Sequence, residues 1–226
     1  MKQGPDDPGS GTDVTIRPYE AADRPVVRRI CHDTGYMGEP AWYWRDVESF
    51  ANLFTGYYTD REPGSAWVCE TAGAVTGYLL GCEDSSLATD PARIIGRDVI
   101  RRGLLVRPGT AGFVWRSVAD GVVAAARHRL PPSIFLDPRW PAHLHIDLLP
   151  AARGRGVGAA LVRRWLDRLR SRSVPGCHLE TLAENTAAVA FFEAVGFRRH
   201  GDGFLVPGLR TPRGGRHHVL VMVQDL

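Results

Sequence analysis

His143-Leu144-His145-Ile146-Asp147-Leu148-Leu149-Pro150-Ala151-Ala152-Arg153-Gly154-Arg155-Gly156-Val157-Gly158-Ala159 is the stretch on which the fold of this chain turns. Its first part alternates, with Leu144, Ile146 and Leu148 on one side and His143, His145 and Asp147 on the other, the period of a strand over His143–Leu149. Pro150 ends that strand, because it brings no amide proton to a ladder. Beyond Gly158, the apolar residues Leu161, Val162, Trp165, Leu166 and Leu169 form the stripe of an amphipathic helix over Val157–Ser171. Between strand and helix, glycines permit a tight turn and a close approach of backbone to a ligand. The unpaired amides and dipole of the helix start favour an anion, and Arg153 and Arg155 add positive charge. Together these features describe a cradle for a pyrophosphate.

Three pyrophosphate loops compete with an ordinary glycine-rich turn. A P-loop needs a Lys-Ser or Lys-Thr pair, which is missing here. A dinucleotide fingerprint needs a third glycine where Ala159 stands. The third possibility emerges only when the rest of the chain is read.

Downstream, Cys177–Leu182 reads as a strand and Asn185–Val195 as a helix, with Ala188, Phe191, Phe192 and Val195 at helical spacing. Gly196 sits where a left-handed cap belongs. Two last strands are expected near Arg198–Val206 and His217–Gln224. Upstream come a strand at Val14–Arg17 and a helix over Ala21–Asp33. A partly helical aromatic stretch follows over Glu39–Tyr58, ending near Gly56. A hairpin of Ala66–Thr71 and Ala74–Cys82 turns at Ala72-Gly73. Residues 83–140 hold two helical candidates, Ile94–Leu105 and Gly112–Leu130, and read as a helical insertion in one domain spanning 14–226. Residues 1–13 are rich in Gly, Pro and Asp and read as a disordered tail.

Arg153-x-x-Gly156-x-Gly158 matches the (Q/R)xxGx(G/A) motif of the GNAT N-acetyltransferases, after Leu148-Leu149-Pro150 at the usual spacing. Leu179-Glu180, Asn185, Ala188, Phe191-Phe192 and Gly196-Phe197 resemble the same family's later strand, helix and Gly-Phe ending. The resemblance covers 142–197 and implies an α/β (α+β) GNAT fold: a mixed, mostly antiparallel central sheet flanked by helices. It also implies acetyl-CoA as cosubstrate. The pyrophosphate would lie on the backbone from Arg153 through Gly154, Arg155, Gly156, Val157 and Gly158 to Ala159. Leu148 and Leu149 would pair with the pantetheine arm, one main-chain N–H there stabilising the oxyanion. Asn185 and the Phe192 position would complete the cofactor contacts.

Amine acetylation needs a base to free the nucleophile from its ammonium form. Glu180 stands twelve residues before Phe192, the spacing at which ribosomal-protein alanine acetyltransferases resemble this chain and carry their base. Asp147 and His145, on the polar side of the preceding strand, are the second candidates, and a strand Glu in a plain ion pair is the ordinary alternative. Phe192 departs from the family pattern: many relatives carry there a Tyr that protonates the departing thiolate. The segment 141–150 also resembles the acetyltransferase-like domain at the C-terminus of eukaryotic O-GlcNAcases and its free-standing bacterial relatives. A non-catalytic acetyl-CoA-binding module is therefore the alternative function.

Composition narrows the classes. The chain has 226 residues, 44% hydrophobic and 23% charged, enough for a proper core without disulfide staples. A net charge of +3 without a Lys/Arg block gives no sign of a nucleic-acid partner. No apolar run approaches the roughly 20 residues that span a bilayer. The four cysteines show no CxxC spacing, His143-x-His145 lacks a third ligand at a recognisable spacing, and no metal is expected. Nor do residues 1–13 hold the apolar core of a signal peptide, so a cytoplasmic protein is expected. Its partner is expected to be a small-molecule amine or peptide, with the family resemblance leaving a homodimer open. The insertion and Trp42-Tyr43-Trp44 would shape the acceptor pocket.

Overall fold

A computed structural model describes residues 14–128 and 134–226; the expected tail at 1–13 lies outside them, as does Leu130, the expected end of the second insertion helix. The chain runs β1 (Val14–Pro18), α1 (Arg24–Thr34), α2 (Val47–Arg61), β2 (Ala66–Thr71), β3 (Ala74–Cys82), α3 (Pro91–Arg101) and α4 (Ala111–Ala126). It continues with β4 (Ala142–Leu148), α5 (Val157–Ser171), β5 (Gly176–Leu182), α6 (Thr186–Ala194), β6 (Arg198–Arg210) and β7 (Arg216–Asp225). The strands form a seven-stranded sheet in the order β1-β2-β3-β4-β5-β7-β6. Every neighbouring pair is antiparallel except β4 and β5, so the sheet is mixed and mostly antiparallel, as the family resemblance implies.

Strand alternation sends the two sheet faces into separate cores. Leu79, Leu144, Cys177, Leu179 and Met222 meet Leu161, Val162, Trp165 and Leu169 of α5 and Val189 and Phe192 of α6. Val68, Tyr78 and Leu80 on the opposite face meet Val27, Ile30 and Cys31 of α1 and Phe50 of α2. The side of β4 that carries His143, His145 and Asp147 is therefore no solvent face: α1 and α2 cover it, and His145 stacks on Phe54 at 5.7 Å. α3 and α4 stand between β3 and β4, which still pair directly over Gly77–Cys82. The two helices thus leave the sheet undivided.

Several boundaries differ from the sequence expectation. α2 starts only at Val47, because Asp46 caps it by accepting from the Ser49 N–H, and the chain at Met37 and Gly38 has positive φ. It runs through Gly56 to Arg61, since a lone glycine weakens a helix without ending it; Pro63 follows the end. α3 begins at Pro91 under an Asp90 cap and ends at Arg101, short of Leu105, with Gly103 at φ 61 beyond it. β6 continues past Val206 to Arg210, because the Gly208 N–H finds Asp120 of α4 where the register with β7 slips.

Candidate active site

The expected cradle joins β4 to α5. Gly154 and Gly156 both have φ 73, a backbone that L side chains adopt only under strain, and a Cβ at either would meet nothing within 4 Å. Their glycines answer to the turn, and the space above them is open. Ala160 is the first amide of α5 to reach back to a carbonyl, that of Gly156 at 3.0 Å. The N–H groups of Val157, Gly158 and Ala159 therefore head the helix with no carbonyl partner within it. Gly158 is held to its size by neighbours, because a Cβ there would lie 3.0 Å from the Phe191 ring and 3.3 Å from Leu148.

Beside the cradle the sheet opens. β4 and β5 pair only at Ala142–Cys177 and His143–His178, after which each runs on unpaired with the other. Leu149 donates its N–H to Thr76 O at 2.8 Å, toward β3. Alternation along the strand then turns the N–H groups of Ile146 and Leu148 toward the gap. Of the two residues expected to meet the pantetheine arm, Leu148 offers the free amide and Leu149 does not. Arg153 has a backbone role beside the cradle. Its guanidinium donates to Leu148 O and Gly38 O, each at 2.8 Å, and so ties the loop after α1 to the end of β4.

Glu180 lies on the β5 face that looks toward α1 and α2. Its carboxylate is reachable by solvent yet walled by protein, the surroundings of a group lining a cleft, and burial raises its pKa. Among the described residues no hydrogen bond or ion pair reaches that carboxylate. Asp147 and His145 are differently placed. The Tyr78 hydroxyl donates to Asp147 and lies 3.0 Å from His145 Nε2, which is itself 3.2 Å from Asp147 Oδ2. Cys31 of α1 completes this cluster at 4.0 Å from His145. Cys31, His145 and Asp147 bring three potential metal-ligand atoms within 4.8 Å of one another, a grouping the one-dimensional spacing hides. His143 is no base: burial first, then the neighbouring His178 and His145, lower its pKa to about 3.

Asn185 caps α6, accepting from the Ala188 N–H at 3.2 Å, which fixes its carboxamide at the mouth of the gap. Phe192 is buried among Phe197 and the α5 core, whereas its neighbour Phe191 is the ring that touches the cradle at Gly158. Trp44 is core, donating its indole N–H to Ser49, while Trp42 is exposed. α4 reaches the aromatic stretch through Phe113, whose ring lies 5.0 Å from Tyr43 and 5.3 Å from Trp44. Sequence spacing gave no sign of one further group: Tyr36, His217 and Glu184, joined by hydrogen bonds of 3.0 and 3.1 Å.

Comparison with known proteins agrees with this geometry. The model of the acetyltransferase (GNAT) family matches residues 32–197. The L-2,4-diaminobutyric acid acetyltransferase of Nocardia farcinica is 30% identical over 54% of this chain and 49% of its own length. The chain thus spans about half of that relative. The human N-acetylaspartate synthetase is 26% identical over 89% of this chain and 68% of its own length. Among solved structures, SsHAT superposes with a TM-score of 0.61 at 28% identity, covering 94% of this chain and 98% of its own. A Salmonella typhimurium acetyltransferase, yncA, solved with acetyl-CoA, shares the fold at a TM-score of 0.56 and 17% identity, over 94% of each chain. With the family match spanning the cradle, the parted strands and the Asn-capped helix, the chain belongs to the GNAT acetyltransferase family of enzymes.

Proposed function

We propose that the chain is an acetyl-CoA-dependent N-acetyltransferase that acts on a primary amine by direct attack on the thioester. The observation that carries this is the parting of β4 from β5 beside an open glycine cradle. A pyrophosphate fits the amides of Val157, Gly158 and Ala159, and an extended arm fits the unpaired edge of β4, where the Leu148 N–H would meet the developing oxyanion. Acetyl-CoA would supply the acyl group as an activated thioester. Arg153 holds the edge in place rather than the phosphates.

Glu180 is the base in this account. The protein wall around this solvent-reachable carboxylate desolvates it without a compensating partner among the described residues, which makes it a better proton acceptor, and such groups gather at functional sites. The same shift has a cost in stability. Because the folded pKa lies above the unfolded one, ionising Glu180 destabilises the fold as pH rises through the carboxylate range. Support for an amine acceptor comes from the names of relatives, a diaminobutyric acid acetyltransferase and a RimI N-alpha-acetyltransferase among them. The four cysteines are buried free thiols, which fits a reducing, cytoplasmic setting.

Thiol release from acetyl-CoA, with L-2,4-diaminobutyrate first in a panel of primary amines, tests the assignment. Glu180→Gln should lower kcat on the order of 100-fold or more, remove the rise of rate with pH, and raise stability slightly at neutral pH. Full turnover in that variant would move the base to Asp147, with Asp147→Asn as the matching test.

A further inference from the structure

The reaction leaves a thiolate to be protonated, and Phe192 has no proton to give. Tyr36, in the loop after α1, carries a hydroxyl 3.0 Å from Nε2 of His217 on β7. Nδ1 of His217 lies 3.1 Å from Glu184 Oε2, and the other oxygen of Glu184 lies 3.0 Å from Nδ1 of His218. The inner pair is buried, Tyr36 7% and His217 0% exposed, while the side chains of Glu184 and His218 are 31% and 49% exposed. This chain of contacts leads from the interior to solvent.

Its inner end belongs to a loop tied on both sides of the gap. The loop is tied on one side to the end of β4, through Gly38 O, Arg153 and Leu148 O. On the other side Tyr36 reaches β7, the strand beyond β5. The loop therefore crosses from one wall of the parted strands to the other. Tyr43 also lies edge-on to the Tyr36 ring at 6.0 Å, as does Trp42 at 5.8 Å.

We propose that Tyr36 donates the proton that the departing thiolate needs, and that His217, Glu184 and His218 position it and restore that proton from solvent. This rests on the acetyl-CoA-dependent amine acetylation proposed above. As the C–N bond forms and the C–S bond breaks, the electron pair leaves on sulfur and takes the Tyr36 proton. Glu184 holds one N–H of the His217 ring at Nδ1, and the N–H at Nε2 passes to the tyrosine oxygen. A turn of that ring then presents its remaining N–H to Tyr36, and the nitrogen left bare takes a proton from solvent at the Glu184–His218 end. The two protons shed by the ammonium leave through Glu180 and water, so one proton net is released per turnover.

The electrostatics suit a donor. Burial, then the charge of Glu184, raises the pKa of Tyr36, so the phenol stays protonated. Burial alone would raise that of Glu184, yet hydrogen bonds from the side chain and backbone of His218 and from His217 hold it at about 2. Among the described residues, Glu39 and Tyr43 on the same loop, His217 and His218 on β7, Glu184 after β5 and Arg153 beneath Gly38 are the titratable and charged groups around Tyr36.

Tyr36→Phe keeps the ring contacts and removes only the hydroxyl. With acetyl-CoA and the best amine of the panel, kcat should fall on the order of 10- to 100-fold, the low end for general acids because a thiolate already leaves readily. The fall of wild-type kcat at alkaline pH should flatten, with acetyl-CoA affinity and KM unchanged. Glu184→Gln should shift that alkaline limb and lower kcat less. If Tyr36→Phe keeps the wild-type kcat and pH profile, or changes only KM or thermal stability, Tyr36 is a latch and the proposal is overturned. A wild-type chain that releases no thiol with any amine overturns the amine-acetylation reading along with it.

Discussion

α5 and α4 are nearly the same length, 15 and 16 residues, and α4 is the more apolar of the two. α5 nevertheless buries Leu161, Val162, Trp165, Leu166 and Leu169, whereas α4 buries only Val114. Trp115, Val118 and Val122 of α4 are 57%, 49% and 65% exposed. The difference lies in what each helix meets. α5 crosses the middle of the sheet, where Gly81 has no side chain and a Cβ would lie 2.4 Å from the Trp165 ring. α4 lies against the irregular outer end of β6 and is held there by polar ties. Asp120 accepts from the Gly208 N–H and from Arg210, and Ser117 donates to Pro207 O. Apolar content alone does not stabilise a helix; a complementary surface does.

The comparison can be broken by substitution. Trp165→Ala should cost about 3–5 kcal/mol in urea unfolding, because it opens a cavity between β3 and α5. Asp120→Ala should cost about 1–2 kcal/mol by removing the partner of Arg210 and Gly208 N–H, and its effect should be local. Hydrogen exchange should speed up in α4 and leave α5 untouched. Partial burial would raise the pKa of Asp120, but Gly208, Arg210 and Arg216 lower it on balance. The stabilisation it gives is thus present above the ordinary carboxylate range and lost as pH falls through its lower folded pKa. Trp115→Ala should change stability by less than about 0.5 kcal/mol. A large loss there, with a small one at Trp165, would reverse the ranking of the two helices.

The same contrast explains what was legible in one dimension. The run His143–Ala159 and the helix at 185–195 carry period, proline stops and caps within a few residues of one another. Their strands and helices fall where patterning puts them. Glu180 is singled out only through the family resemblance, by its spacing of twelve residues from Phe192. The clamp that Arg153 makes on the backbone was not legible, since it depends on Gly38, 115 residues away. Tyr36 and His217 are 181 residues apart, and Cys31 and His145 are 114 apart, so only the packed sheet brings either pair together. The ends of α2, α3 and β6 went astray for a related reason. Caps such as Asp46 gain strength from tertiary partners, here Arg102 at 2.6 Å and Arg107 at 3.0 Å.

Calorimetric titration with acetyl-CoA, run on the wild-type chain and on Gly156→Glu with ATP as comparator, bears most directly on the cradle. Glu at 156 would face the open space with a carboxylate and adopt a φ of 73, at a cost of roughly 1–2 kcal/mol in backbone energy. The wild-type chain should bind acetyl-CoA at one site and ATP weakly, and the variant should lose acetyl-CoA affinity on the order of 100-fold with its circular dichroism retained. Equal affinity in the two proteins, or no binding by the wild type, would contradict a pyrophosphate site between β4 and α5.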